Sequence, residues 1–151
     1  FGGERTATVI PLTGIGTDRH RLDMWTQEGA DTYNEYAEGY EYDFDQLRKT
    51  DGYVAVSLEG LWLRTPYLHN GSVPYLTDLL EAPANRTKVF YRGYDVYNPE
   101  KVGFVAEGSE AEKVGFLYDT SVEANDNQGH LYGIDLPSKD KTALIEYLKT
   151  L

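Results

Sequence analysis

Apolar residues recur at helical spacing in two places along the chain. Val73, Leu76, Leu79 and Leu80 fall on one side of a short helix, with Pro74 suited to its first turn. Leu144, Ile145, Leu148 and Leu151 fall on one face of a C-terminal helix that Ser138 can cap, with Lys141 and Lys149 outside that face. Between Ala30 and Glu41, the spacing of Tyr33, Tyr36, Ala37 and Tyr40 predicts an aromatic helix face. A short helix through Arg21–Trp25, capped by Thr17 or Asp18, follows the Gly14–Asp18 turn.

Extended segments are fewer and shorter. Tyr53–Leu58 is short and β-branched, and leads into the densest part of the sequence. Lys88–Tyr91 and Gly103–Val105 are predicted to pair as short strands. Thr8–Leu12 is an apolar piece within an entry loop, 107–113 a charged connector, and 119–128 an exposed polar loop. The expected fold is mostly α, with long loops and a small β element, in one domain over residues 1–151. No internal repeat or low-complexity tract interrupts it.

The stretch Gly60–Leu80 concentrates residues that are costly to place. Pro66 and Pro74 hold the backbone extended on either side of a turn at Asn70-Gly71, and His69 sits at that turn. Trp62, Arg64 and Tyr67 precede it. The expectation is an extended lead-in, a rigid turn holding His69 and Asn70, then the helix.

Composition adds three constraints. The 151 residues suffice for a domain with a core, and 40% of them are apolar. Thirteen tyrosines suit irregular packing and pocket walls. A net charge of −11 argues against nucleic acid, and can steer basic partners. No apolar run is long enough for a membrane span. The opening Phe-Gly-Gly-Glu is neither an initiator nor a signal peptide, so the chain reads as processed or truncated.

Several chemistries lack their residues. There is no nucleophile elbow, no cysteine and no zinc-type histidine spacing. The Gly14-x-Gly16 pair lacks the context of a dinucleotide fingerprint. Asp31, Glu35, Glu38, Glu41, Asp43 and Asp45 form an acidic cluster, read as a solvated face. Calcium is the alternative, without EF-hand spacing.

The segment Arg-Thr-Pro-Tyr-Leu-His-Asn-Gly-Ser-Val-Pro-Tyr-Leu-Thr-Asp-Leu-Leu, residues 64–80, resembles the stretch after the second haem-binding motif of di-haem c-type cytochromes, the cytochrome c peroxidase and rubber oxygenase-like group. Tyr94–Phe104 resembles the "YDP..VGF" stretch of the rubber-oxygenase-like branch, and Gly129–Leu151 resembles its C-terminal end. The likeness runs in order from about Ile10 to Leu151. Such proteins attach haem through Cys-x-x-Cys-His, which this cysteine-free chain lacks. Three readings stand open: the chain is the C-terminal portion of a longer polypeptide, a partner chain carries the haem, or the haem site has been lost.

The resemblance implies a cytochrome c-like domain, haem c attached outside this sequence, and a bacterial periplasmic or secreted location. It implies electron transfer, or redox chemistry with peroxide or dioxygen at another haem. Imidazole and methionine are the common axial ligands, which leaves His20, Met24, His69 and His130. His20 and Met24 are read as structural. His130 is the expected iron ligand, because Gly129 permits close approach and the Gly-His pair matches the expected distal histidine. His69 is the rival, expected near the haem edge. The usual methionine after the following helix is replaced by Leu80-Glu-Ala-Pro83. Arg64 is a candidate propionate partner, Trp62 and Tyr67 candidate porphyrin contacts, and Asn70 part of the same turn. A haem-free module of the same fold, binding a protein or glycan through aromatic surface, is the alternative function.

Overall fold

The computed structural model describes residues 8–15, 19–41 and 47–151, with only the backbone of His20. These fall into two compact units, Phe1–Ser57 and Leu58–Leu151.

In the first unit, strands β1 (Thr8–Pro11) and β2 (Gly52–Ala55) pair antiparallel, from Thr8 opposite Ala55 to Pro11 opposite Gly52. The segment read as an entry loop is therefore a strand, because β2 supplies its backbone partners. Close pairing needs glycine at position 52: an added Cβ would lie 2.4 Å from the Ile10 carbonyl oxygen. Helices α1 (Leu12–Ile15), α2 (His20–Asp23) and α3 (Gln27–Ala37) follow β1. Thr26 caps α3 by accepting the Gly29 N–H at 3.0 Å. The expected capping residues of α2, Thr17 and Asp18, lie outside the described residues, as do Asp43 and Asp45.

The aromatic face of α3 does not face inward. Ala30 and Ala37 are the buried positions, whereas Tyr33 and Tyr36 are exposed, and Tyr40 lies exposed beyond the helix end. Tyr33 rests against Trp25 and Tyr36 against Tyr40, with ring centroids 5.7 and 5.8 Å apart. Small side chains fit the inner side, and the rings cover one another outside. Asn34 holds residue 47 through both backbone groups of Leu47, at 2.9 and 3.0 Å.

The second unit begins with a 3-10 turn at Leu61–Leu63, followed by helix α4 (Leu76–Leu79) and a second 3-10 turn at Pro83–Asn85. Strands β3 (Val89–Arg92), β4 (Tyr97–Asn98) and β5 (Gly103–Phe104) come next, then helix α5 (Ser109–Val114), strand β6 (Phe116–Asp119) and helix α6 (Ser138–Leu148). The predicted pairing of 88–91 with 103–105 does not form. β3 pairs with β6, Val89 opposite Asp119, and β5 pairs with β4, Tyr97 opposite Phe104. The charged connector is the helix α5, which links these elements.

Helical dominance is not evident. Six helices share the described residues with six strands, and only α3 and α6 reach 11 residues. The chain therefore corrects the mostly α expectation: its short elements are joined by turns that tertiary contacts hold. Val102 illustrates this. It is fully buried at φ 58°, a costly backbone for a β-branched residue, and its N–H is bonded to the Asn98 carbonyl.

The core of this unit draws on residues of both predicted helical faces, although Val73 lies ahead of α4 in a bridge with Tyr67 and Pro74 precedes the N-cap Tyr75. Tyr67, Val73, Leu76, Leu79, Leu80 and Val102 meet Ile145 and Leu148, and Leu144 and Leu151 pack against them. Lys141 on α6 pairs with Glu81 at 3.0 Å. Pro137, rather than Ser138, occupies the N-cap of α6. A smaller cluster holds Tyr75, Phe90, Ala106 and Tyr118.

Candidate haem-ligand segment

The residues around His130 are organised by a single buried cation. Arg86 is 2% exposed and forms no ion pair among the described residues. All its N–H donors go to backbone carbonyls. Nε donates to Glu81 at 2.9 Å, and one terminal nitrogen donates to Asn127 at 2.5 Å and Gly129 at 2.7 Å. The other donates to His130 at 2.7 Å and Leu79 at 3.4 Å. Planar guanidinium geometry suits this fan of acceptors. Asn127, also buried, donates from its side-chain amide to the Thr87 carbonyl at 3.2 Å. Residues 127–130 are thus fastened to the end of α4 and the strand approach after it.

His130 sits at the end of this clamp with φ 57°, a left-handed backbone that Gly129 precedes without obstruction. Its ring is half-buried, edge-on to Tyr132 at 5.4 Å. Burial, then the Arg86 charge, holds its pKa below the ordinary histidine value. A neutral imidazole keeps a lone pair for a metal, so the donor chemistry fits an iron ligand.

The central turn is tied to the same segment. Asn70 donates to the carbonyls of Ala124 at 3.2 Å and Asp126 at 2.9 Å, a few residues before His130. The Asn70 side-chain oxygen accepts the Ser72 N–H at 3.2 Å, and its carbonyl accepts the Tyr118 hydroxyl at 3.1 Å. His69 projects from this turn and is exposed, with Leu68 before it at φ 65°. The turn bearing His69 and the segment bearing His130 are therefore both anchored through residues 124–130; most of the 119–128 loop is exposed as expected, with Asn127 buried within it.

The other predicted contacts lie elsewhere. Tyr67 is buried in the core, donating to the carbonyls of Val102 at 3.3 Å and Leu61 at 3.4 Å, and its burial raises its phenol pKa. Trp62 is half-buried against the same core and meets Tyr97 edge-on at 5.9 Å. Arg64 is exposed and donates to the Glu59 carbonyl at 2.7 Å. Met24 is 69% exposed, and the His20 side chain lies outside the described residues. Calcium is unsupported: the described residues contain no group of three or more acidic or histidine side chains arranged for a metal. None of their helices is long and apolar enough to cross a membrane.

Arg86 and Asn127 were not legible in sequence. Arg86 acts through carbonyls that are distant along the chain, and no motif marks such contacts.

Residues 52–91 match the model of a family described as "RoxA-like, cytochrome c-like". The match takes in the His69–Asn70 turn and Arg86, and makes this stretch similar to a cytochrome c-like domain. Two uncharacterized proteins of Sinorhizobium fredii are similar to the chain. One, y4iJ, is 40% identical over 108 residues, covering 66% of this chain and 18% of the relative. The other, y4iM, is 36% identical over 118 residues, covering 66% of this chain and 27% of the relative. The chain thus spans about a fifth to a quarter of the length of these relatives.

Proposed function

We propose that this chain is the haem-domain portion of a bacterial periplasmic or secreted c-type cytochrome, and that His130 is the distal axial ligand. The observation that carries this reading is the Arg86 clamp, which fixes a half-buried, neutral imidazole in a strained backbone within a cytochrome c-like chain. Strain of this kind persists where surrounding contacts over-determine it, and such places are often functional. The thioether cysteines come from the rest of the polypeptide or a second chain, since this sequence has none. Haem c would supply one-electron chemistry, serving electron transfer or the redox chemistry of peroxide or dioxygen at another haem. The chain's own part is to hold His130, shield its ring from water and keep it deprotonated. Asn70, next to His69 in the chain, is bonded to Ala124 and Asp126 in the segment that leads to His130. The acidic surface, with a net charge of −11, favours a basic redox partner.

The test is a pyridine haemochrome assay and visible spectrum on the natively purified polypeptide, or complex, that contains this chain. Covalent haem is expected, and His130→Ala should turn one haem from low to high spin. Absence of haem, or an unchanged spectrum in the variant, refutes the assignment. In the haem-free case the exposed rings of Tyr33, Tyr36 and Tyr40 would instead favour a protein or glycan binding module.

A further inference from the structure

The second unit contains a cavity of roughly 570 Å³ that does not include His130. Its walls are mainly aromatic and apolar: Pro66, Pro74, Phe90, Tyr94, Phe104 and Phe116. This volume is within the usual span of small-molecule sites, about 300–1,000 Å³. Arg92 supplies the cationic group of the lining.

The Arg92 guanidinium has two close neighbours. It lies over the Tyr118 ring, 5.1 Å from the centroid. The backbone of Gly71, at φ 68°, also lies close, where an added Cβ would fall 3.0 Å from the guanidinium carbon. A glycine at 71 therefore allows both the turn and the close approach of the cation. One terminal nitrogen donates to the Asn70 carbonyl at a long 3.4 Å. Among the described residues no carboxylate forms an ion pair with Arg92; Asp95 lines the same cavity without doing so. The phenol of Tyr91, another lining residue, is engaged with the Glu112 carboxylate.

We propose that this cavity is a binding site for a small aromatic carboxylate, its ring among the aromatic walls and its carboxylate on the edge of Arg92. A stacked guanidinium presents parallel N–H donors, which match a carboxylate in a forked pair. Holding Arg92 close to Tyr118 and Gly71 lowers the entropy lost on binding. In an acidic chain, a cation without an ion-pair partner among the described residues favours a carboxylate over an uncharged aromatic. The inference stands apart from the haem ligand, because His130 is not among the lining residues.

Titration calorimetry on the natively purified polypeptide that contains this chain tests it, with 2-naphthoate and uncharged 2-naphthylmethanol as probes. Naphthoate should bind with one-to-one stoichiometry, at least tenfold tighter than the alcohol. Arg92→Met should erase that tenfold preference while the far-ultraviolet dichroism stays native. Phe116→Ala, at a ring 71% exposed and so tolerable to the fold, should weaken both probes. Equal affinities for acid and alcohol in the unaltered protein overturn the proposal without any variant. So does naphthoate binding that survives Arg92→Met. If naphthoate fails to bind and Arg92→Met instead shifts the haem midpoint potential, Arg92 serves a haem propionate and the proposal falls.

Discussion

Replacing Arg86 by methionine keeps much of the side-chain length and removes every hydrogen bond of the clamp. Five backbone carbonyls lose a donor: those of Leu79, Glu81, Asn127, Gly129 and His130. Glu81, Gly129 and His130 are half-buried, so water can replace their partner. Leu79 and Asn127 are buried, and their carbonyls are stranded. An unsatisfied buried acceptor costs about 1–3 kcal/mol. Relief of the buried cation's own desolvation, which already lowers the Arg86 pKa, offsets part of the loss. The net destabilisation is about 3 kcal/mol, from two stranded carbonyls at the middle of that range less the offset. Lysine presents three donors from one nitrogen in place of a five-donor planar fork, so Arg86→Lys should recover only part of it. Equilibrium urea unfolding measures the loss, and amide hydrogen exchange locates it. Exchange should accelerate first at residues 127–131, ahead of α6. A loss under about 1 kcal/mol, or unchanged protection in that segment, would refute the account of Arg86 as the clamp.

Two further outcomes follow from the core. Burial raises the phenol pKa of Tyr67 and Tyr75 above the ordinary value of 10.0. In the unfolded chain both ionise near pH 10, whereas the folded chain keeps their protons; this contribution is complete below pH 10 and is lost as pH rises toward the folded values. Tyrosinate absorbance should therefore show the exposed tyrosines titrating reversibly while these two ionise only with unfolding, and a single smooth titration of all thirteen without unfolding would contradict the burial. At Gly103 an added Cβ would lie 2.4 Å from the Pro74 carbonyl oxygen and 3.0 Å from the Tyr75 ring, so Gly103→Ala should cost about 2–4 kcal/mol by overpacking against backbone; a melting temperature within 2 °C of the parent, for about 0.5 kcal/mol or less, would show that β5 can shift away.

Periodicity gave the two helices that build the core, and they meet as their apolar faces require: Leu76 and Leu79 with Ile145 and Leu148. It also marked the turn, since prolines and a glycine constrain the backbone whatever lies around them. The motif resemblance, seen in residues 64–80, overlaps the RoxA-like, cytochrome c-like match over 52–91, which bears on its cytochrome c part and not on the di-haem or peroxidase grouping. Strand partners were not legible. Residues 88–91 and 103–105 have similar β-branched and aromatic character, and only the course of the chain through α5 places β6 beside β3.

The direction in which side chains point was equally a tertiary decision. Tyr33 and Tyr36 obey a helical pattern, yet Ala30 and Ala37 take the interior. Within the site, the sequence singled out His130 and Asn70 through their residue types and neighbours. What fastens them is a set of contacts across 41 to 56 residues of chain, made by Arg86 and Asn70 to bare carbonyls. A backbone carbonyl is the same at every position, so sequence alone does not identify which one an arginine will reach; the folded path of the chain does.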